Sequence, residues 1–232
     1  MFPSRSQAAA SVLAGDVLVL PERRRVAKPG ELVADDVELE VVAQPPFVSR
    51  GGVKLRNALD ALGLAVAGRC ALDVGASTGG FTDVLLRRGA ASVIAIDVGR
   101  GQLDWRLRND PRVIVHEGVN ARVLTPEDVP HAVSLVTIDV AFISLRHIFP
   151  ALPPFLEAAA DIVALVKPQF EAGRDDVGKH GIVSDPAVHD AVIERVTKAA
   201  RECGLSRLAM TPSPITGATG NQEFFLHLRA AA

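Results

Sequence analysis

From Arg69 onward, short apolar runs alternate with segments whose apolar residues recur at helical spacing. The pattern predicts strands at 70–74, 92–97, 113–116, 133–138 and 161–166, interleaved with helices at 79–88, 145–158 and 186–202. Such alternation implies an α/β fold, a mostly parallel sheet with helices on both faces. The start of the last helix is marked by Asp185 as N-cap and Pro186 at the first helical position. Beyond it, Leu205–Thr211 and Gln222–Arg229 are separated only by the turn-rich PSPITGATGN, too short for a crossover helix. These two strands are expected to be antiparallel neighbours.

Before Arg69 the pattern changes. Residues 4–14 read as a short helix, Val17–Leu20 as a strand, Pro29-Gly30 as a turn and 37–42 as an alternating strand, together a small α+β unit over 1–44. Pro45-Pro46 stops it and opens a linker over 45–52. In FVSRGGVKLRNAL and beyond, Val53, Leu55, Ala58, Leu59 and Leu62 have helical spacing, so the main domain is assigned to 45–232.

Composition narrows the function classes. A 232-residue chain with 48% hydrophobic and 22% charged residues can build an ample core without staples. Cys70 and Cys203 lie far apart and form no CxxC pair, which argues against a disulfide framework and a zinc site. No His, Cys and carboxylate cluster has metal-ligand spacing, so no protein-held metal is expected. No apolar run approaches the roughly 18 residues of a membrane span, and the N-terminus lacks a signal-peptide pattern. A cytoplasmic protein with no membrane partner is expected. The net charge of −2 places any nucleic-acid case on local patches rather than the whole chain.

The most informative stretch is Asp73-Val-Gly75-Ala76-Ser77-Thr78-Gly79-Gly80-Phe81, a strand end, a small-residue turn and a helix start. Small residues there let backbone N–H groups approach a ligand at the helix N-terminus. As a dinucleotide fingerprint the turn is imperfect, because Ser77 stands where the middle glycine should admit a pyrophosphate. The letters Gly75 to Gly79 also spell the G-x-S-x-G nucleophile elbow, with Ser77 as nucleophile. That reading needs several strands upstream and a later Asp and His; Asp185 with His189 or His227 could be nominated, without support from spacing. A third reading joins Asp73 and the glycines to Asp97, which ends the next strand about twenty residues on, where a carboxylate can accept both hydroxyls of a ribose. This Asp-x-Gly-x-x-x-Gly-Gly arrangement resembles the S-adenosylmethionine (SAM) loop of class I methyltransferases. A nucleoside without a pyrophosphate also tolerates Ser77. The plain alternative is a tight turn with no ligand.

Four further stretches put one ionisable residue beside an apolar run, at the edge where open α/β sheets bind ligands: Ser49-Arg50-Gly-Gly-Val-Lys54, Thr137-Ile-Asp139, Leu165-Val-Lys167 and Gly220-Asn-Gln-Glu223. Each alone reads as a solvated terminus. Two lysines, an aspartate and a glutamate converging on one loop read as a catalytic set.

The stretches FVSRGGVKL, DVGASTGGFTDVLL, DVGRGQLDWRLRNDPRV, DVAFISL, ALVKPQFEAGR, GIVSDPAVH and GNQEFF resemble, in that order, the motifs of the TlyA family (haemolysin-A-like) of rRNA ribose 2′-O-methyltransferases. The resemblance covers residues 47–229 almost continuously. It implies a class I SAM-dependent, Rossmann-like fold, SAM as cofactor, and ribosomal RNA or ribosomal subunits as partner, with a cytidine ribose as target. It further implies the Lys-Asp-Lys-Glu tetrad of FtsJ-like enzymes at Lys54, Asp139, Lys167 and Glu223. A ribose 2′-hydroxyl is a poor nucleophile and needs a base within reach, for which Lys167 is the candidate. Cofactor contacts are expected from Asp73, Gly75, Ala76, Ser77, Gly79, Gly80, Phe81 and Asp139, with Asp97 on the ribose and Asn120 near the adenine. The glycines of EAGRDDVGKHGIVSD suggest a mobile loop, with Arg174 and Lys179 beside a passing RNA backbone.

The family's N-terminal part is an S4 RNA-binding domain, and residues 4–41 resemble its second half; the matching segment begins almost at the Ser-Arg-Ser motif. Residues 1–44 hold five basic and seven acidic side chains, so RNA contact there rests on Arg5, Arg23, Arg24 and Arg25, joined by Arg50 of the main domain. A catalytically silent SAM-holding RNA-binding module is the alternative. Membrane lysis, suggested by the family label, finds no signal peptide, span or basic amphipathic helix.

Overall fold

The computed structural model describes residues 5–13, 17–34, 36–41, 47–217 and 219–231, apart from the side chains of Ser6, Gln7, Ala10, Leu13 and Arg174. The chain divides into two compact units, Met1–Pro46 and Phe47–Ala232.

In the first unit a helix, α1 (Arg5–Leu13), precedes three short strands, β1 (Val17–Val19), β2 (Arg24–Arg25) and β3 (Leu39–Val41). They form an antiparallel sheet in the order β2-β1-β3. The central strand carries the apolar residues, and Val17, Leu18 and Val19 are buried.

The second unit is built on a seven-stranded sheet. Its elements are α2 (Arg50–Leu62), β4 (Cys70–Val74), α3 (Gly80–Arg87), β5 (Ser92–Asp97), α4 (Trp105–Arg108), β6 (Val113–Glu117), β7 (Val133–Ile138), β8 (Leu156–Val166), α5 (Pro168–Glu171), α6 (Pro186–Glu202), β9 (Leu205–Pro212) and β10 (Phe224–Ala230). The strand order is β6-β5-β4-β7-β8-β10-β9. The first five strands of that order run parallel, and β10 is antiparallel to both β8 and β9, as the turn-rich connection predicted.

Side-chain alternation sorts the strands' residues onto two faces. On one face Val74, Ile94, Ile96, Ile138, Ile162 and Val166 pack with Val192, Val196 and Ala200 of α6. On the other, Ala71, Val93, Leu135, Leu165 and Phe225 pack with Leu55 and Leu59 of α2 and Val84 and Leu85 of α3. The α6 start is as expected, with the Asp185 carboxylate accepting from Ala187 N–H at 2.8 Å.

One predicted element is corrected. The helix expected over 145–158 is absent; three single 3₁₀ turns, Leu145–His147, Phe149–Ala151 and Pro153–Phe155, lead into β8, which begins at Leu156. Pro150, Pro153 and Pro154 supply no N–H donors and their rings clash with the preceding turn, so an α-helical ladder cannot run through them. The periodicity nevertheless reported burial correctly: Leu145, Ile148, Phe149 and Leu152 are all buried in the core. Among the described residues no helix is long and apolar enough to cross a membrane.

Candidate active site

The strand order reverses between β4 and β7, and in an open α/β sheet this switch point leaves a crevice at the strands' carboxyl ends. The loop after β4 is Gly75–Gly79, and the loop after β7 starts at Asp139, whose N–H donates to the Val74 carbonyl at 2.9 Å. Gly75 has φ +84°, and a Cβ placed on it would run into the Asp139 carbonyl oxygen. Gly79, φ +95°, faces Leu103 and Leu107, and Gly80 faces Ser49 and the backbone of Gly52 at the start of α2. The small residues thus allow three backbone segments to meet around one cavity. It measures about 340 Å³ and is walled by Ser49, Gly75, Ala76, Ser77, Gly80, Phe81, Asp139 and Lys167, among others. An adjoining cleft runs along Ser77, Asp97, Gln102, Asn120, Arg122 and Val140.

Asp97 ends β5 with its carboxylate accepting from the N–H of Ser77 at 2.8 Å and of Gly99 at 2.7 Å. It holds the turn after β4 in shape and presents its edge to the cleft. The Ser77 hydroxyl meets the Gln102 side-chain oxygen at 3.3 Å, and Asn120 caps the turn to Arg122 on the same wall. The glycine-lined pocket, continuous past an acidic strand end into a second lobe, fits a nucleoside joined to an amino acid. Two residues predicted to touch the cofactor line neither cavity: Gly79, buried against Leu103 and Leu107, and Asp73. Asp73 is fully buried beneath the loop, accepting from the Thr82 hydroxyl at 2.7 Å and the Thr137 hydroxyl at 2.9 Å. Burial pushes its carboxyl up to about 6, against those two hydrogen bonds, with the nearby Asp139 charge adding to the rise. Asp73 therefore fastens β4, β7 and α3 together rather than lining the cavity.

The four ionisable residues from separate strand ends and α2 form two ion pairs. Lys54 Nζ lies 2.5 Å from Glu223, and Lys167 Nζ lies 2.6 Å from Asp139. Lys54 and Glu223 are buried, and Lys167 and Asp139 are partly open to the cleft. Gly217 makes room for Glu223, whose carboxylate oxygen would sit 2.5 Å from a Cβ there. Lys54 faces inward because it shares the buried stripe of α2 with Leu55, Ala58 and Leu59. Lys54, Ala141 and Lys167 also border a second cavity of about 450 Å³, whose other walls include Phe142, Gln169, Phe170, Thr219 and Glu223. The four residues therefore stand between two chambers.

Phe142 was not singled out from sequence, since a phenylalanine after a strand reads as core. It is 91% exposed, has φ +62°, and tilts against Phe170 with ring centroids 5.1 Å apart. A bulky side chain held in the left-handed region at a cavity mouth is an outlier of the kind that gathers at functional sites.

The residues nominated for RNA fall in both units. Arg50 opens α2, donates to the Thr216 carbonyl at 3.0 Å and lines the first cavity. Lys179 is exposed, whereas the Arg174 side chain lies outside the described residues. The loop expected to be mobile is tied at its far end, where buried Asn221 accepts from Val183 N–H and donates to the Gly181 carbonyl, both at 2.8 Å. In the first unit Arg5 and Arg25 are exposed, but Arg23 pairs with Glu40 at 2.7 Å and Arg24 with Glu31 at 2.8 Å, so part of that basic patch is neutralised locally. Among the described residues no group of three or more His, Cys, Asp or Glu is placed to hold a metal ion.

Comparison with known proteins fits this geometry. Residues 47–230 match the family described as FtsJ-like methyltransferase. Over 230 residues the chain is 50% identical to the 16S/23S rRNA (cytidine-2′-O)-methyltransferase TlyA of Mycobacterium tuberculosis, covering 97% of this chain and 84% of the relative. It is 40% identical to hemolysin A of Brachyspira hyodysenteriae, covering 97% of this chain and 93% of that one. A solved structure of a hemolysin-named protein from Streptococcus thermophilus superposes with a TM-score of 0.80 at 46% identity, covering 99% of this chain and 84% of the other.

Proposed function

Because the chain belongs to the FtsJ-like methyltransferase family, we propose that it transfers a methyl group to a ribose 2′-hydroxyl of ribosomal RNA, on a cytidine. The observation that carries this reading is the pair of ion pairs, Lys54 with Glu223 and Lys167 with Asp139, standing between a glycine-walled cavity and a second, aromatic-rimmed one. SAM is the methyl donor, and when bound it supplies an electrophilic methyl group on a sulfonium. The residues that would hold it are Gly75, Ala76, Ser77, Gly80 and Phe81 around the amino-acid part, Asp97 at the ribose and Asn120 at the base.

Lys167 takes the proton of the 2′-hydroxyl at Nζ, and Asp139 orients that amine. Lys54, fixed by Glu223, holds the hydroxyl's oxygen in line for attack. Phe142, backed by Phe170, offers a face on which a nucleobase stacks once it leaves the RNA stack. Arg50 and Lys179 are assigned to the phosphate backbone. The 1–44 unit is read as the second half of an S4-like RNA-binding fold, with Arg5 and Arg25 as its exposed arginines that make no ion pair among the described residues. A substrate of this kind assigns the protein to the cytoplasm.

The test is transfer of labelled methyl groups from SAM to ribosomal subunits lacking the modification, with the full chain and Lys167→Ala. Label on a ribose 2′-oxygen, lost in a variant that still binds SAM, is the expected result. SAM binding by the wild-type chain with no transfer to either subunit would overturn the assignment and favour a silent binding module.

A further inference from the structure

We propose that Glu171 is a positioning residue for this reaction, a buried carboxylate that binds the loop bearing Lys167 and Phe170 to the loop bearing Asp139 and Phe142. The inference rests on the methyltransferase reading above and adds a residue that touches neither cavity.

Glu171 ends the short α5 and is 4% exposed. One carboxylate oxygen accepts from Leu145 N–H at 2.7 Å, and the other accepts from the Ser144 hydroxyl at 2.6 Å. The Ser144 oxygen in turn accepts from the backbone N–H of Arg146 at 3.2 Å and its Nε at 3.1 Å. Glu171's own carbonyl accepts from Arg195 of α6 at 2.9 Å, so its main chain is anchored on the core side while its side chain reaches the neighbouring loop.

The segment 139–145 is consequently pinned at both ends, by Asp139 N–H on the Val74 carbonyl and by Leu145 N–H and Ser144 on Glu171. Between these pins sits Phe142 at φ +62°. A strained residue persists only where its surroundings over-determine it, and Glu171 supplies the second of the two constraints. Two donors converge on the site, and a carboxylate accepts both, whereas an amide in the same place accepts one and opposes a donor to the other. Desolvation pushes the Glu171 carboxyl above the usual carboxylate range, with the Ser144 and Leu145 hydrogen bonds and the charges of Arg146 and Arg195 opposing the rise.

Glu171→Gln in the full chain tests this, with Glu171→Asp, one methylene short of both donors, as the second variant. For Glu171→Gln, kcat for methyl transfer is expected to fall about ten- to a hundred-fold, as for a displacement near 1 Å at the reacting groups, with SAM affinity within about two-fold. Amide hydrogen exchange should quicken in 139–147 and not across β4 or α6, and Glu171→Asp should be intermediate. Unchanged kcat and unchanged exchange in Glu171→Gln would overturn the inference. So would a loss of kcat accompanied by lost SAM binding and a matching fall in thermal midpoint, which marks a general structural residue. If the wild-type chain transfers no methyl group, the function reading fails, and the exchange comparison still decides whether Glu171 holds the loop.

Discussion

Gly75→Ala tests whether the glycine loop after β4 and the loop that begins at Asp139 share one rigid backbone contact. Gly75 sits at φ +84°, where a side chain costs about 1–2 kcal/mol. Its new Cβ would also overlap the Asp139 carbonyl oxygen and lie 3.0 Å from the carbonyl carbon and 3.3 Å from Val140 Cγ1. Two of those neighbours are backbone, so relief requires moving β7's exit, an overpacking cost of about 1–3 kcal/mol. The sum is about 3.5 kcal/mol, roughly 10 °C in Tm for a chain of this size. Gly63→Ala is the internal control, because Gly63 has φ +63° and nothing within 4 Å of its Cβ position. It carries the backbone cost alone, about 1.5 kcal/mol and roughly 4 °C. Thermal unfolding of both variants, with methyl transfer measured on the survivors, should show Gly75→Ala losing more than twice as much stability and most of its activity. Equal shifts in Tm with activity retained would refute the reasoning and mean that the Asp139 backbone yields freely.

Two further outcomes follow from the site. Asp73, with its folded value of about 6 against an ordinary 3.8, is more easily protonated folded than unfolded, so the wild type should gain about 1.4 kcal/mol over Asp73→Asn as pH falls from 8 to 5; parallel unfolding curves for the two proteins across that range would contradict it. Phe142→Ala, removing a side chain that is 91% exposed, should leave Tm nearly unchanged and lower kcat/KM for RNA by about ten-fold or more, base stacking being worth roughly 1–3 kcal/mol, while SAM binds as before; equal kcat/KM in the two proteins would remove Phe142 from the substrate site.

Much of this arrangement was legible in the chain. The apolar runs marked β4, β5 and β7 to the residue, since a strand buried on both faces leaves little choice of composition. The tetrad's members could be nominated from strand ends and motifs, but their pairing could not. Lys54 meets Glu223 across 169 positions, and only the fold brings α2 beside β10. The region 145–158 misled because apolar spacing reports which side is buried and is silent on whether prolines let the ladder form. Asp73 misled for a different reason: the acid before a glycine loop looks like a ligand contact, and only Thr82 and Thr137 closing over it reveal a strut. Phe142 and Glu171 were invisible because exposure and bracing are tertiary properties of otherwise ordinary letters.

Midway along β8, Asp161 gathers Arg69 at 2.8 Å, His227 at 2.7 Å and Arg229 at 2.7 Å, linking β8 to β10 and to the residue that leads into β4. Those contacts hold its carboxyl below the usual range against the desolvation that would raise it. Lys167 directly follows the C-terminal end of the same strand, about 20 Å from Asp161 at the rise of an extended chain. The sheet is thus riveted away from its cleft. Loops on the cleft side can drift in sequence, and so come to fit a different RNA stem, without loosening the rivet. The same separation means that a variant selected for a new target can be judged for folding at Asp161 and for activity at Lys167, two readings that need not move together.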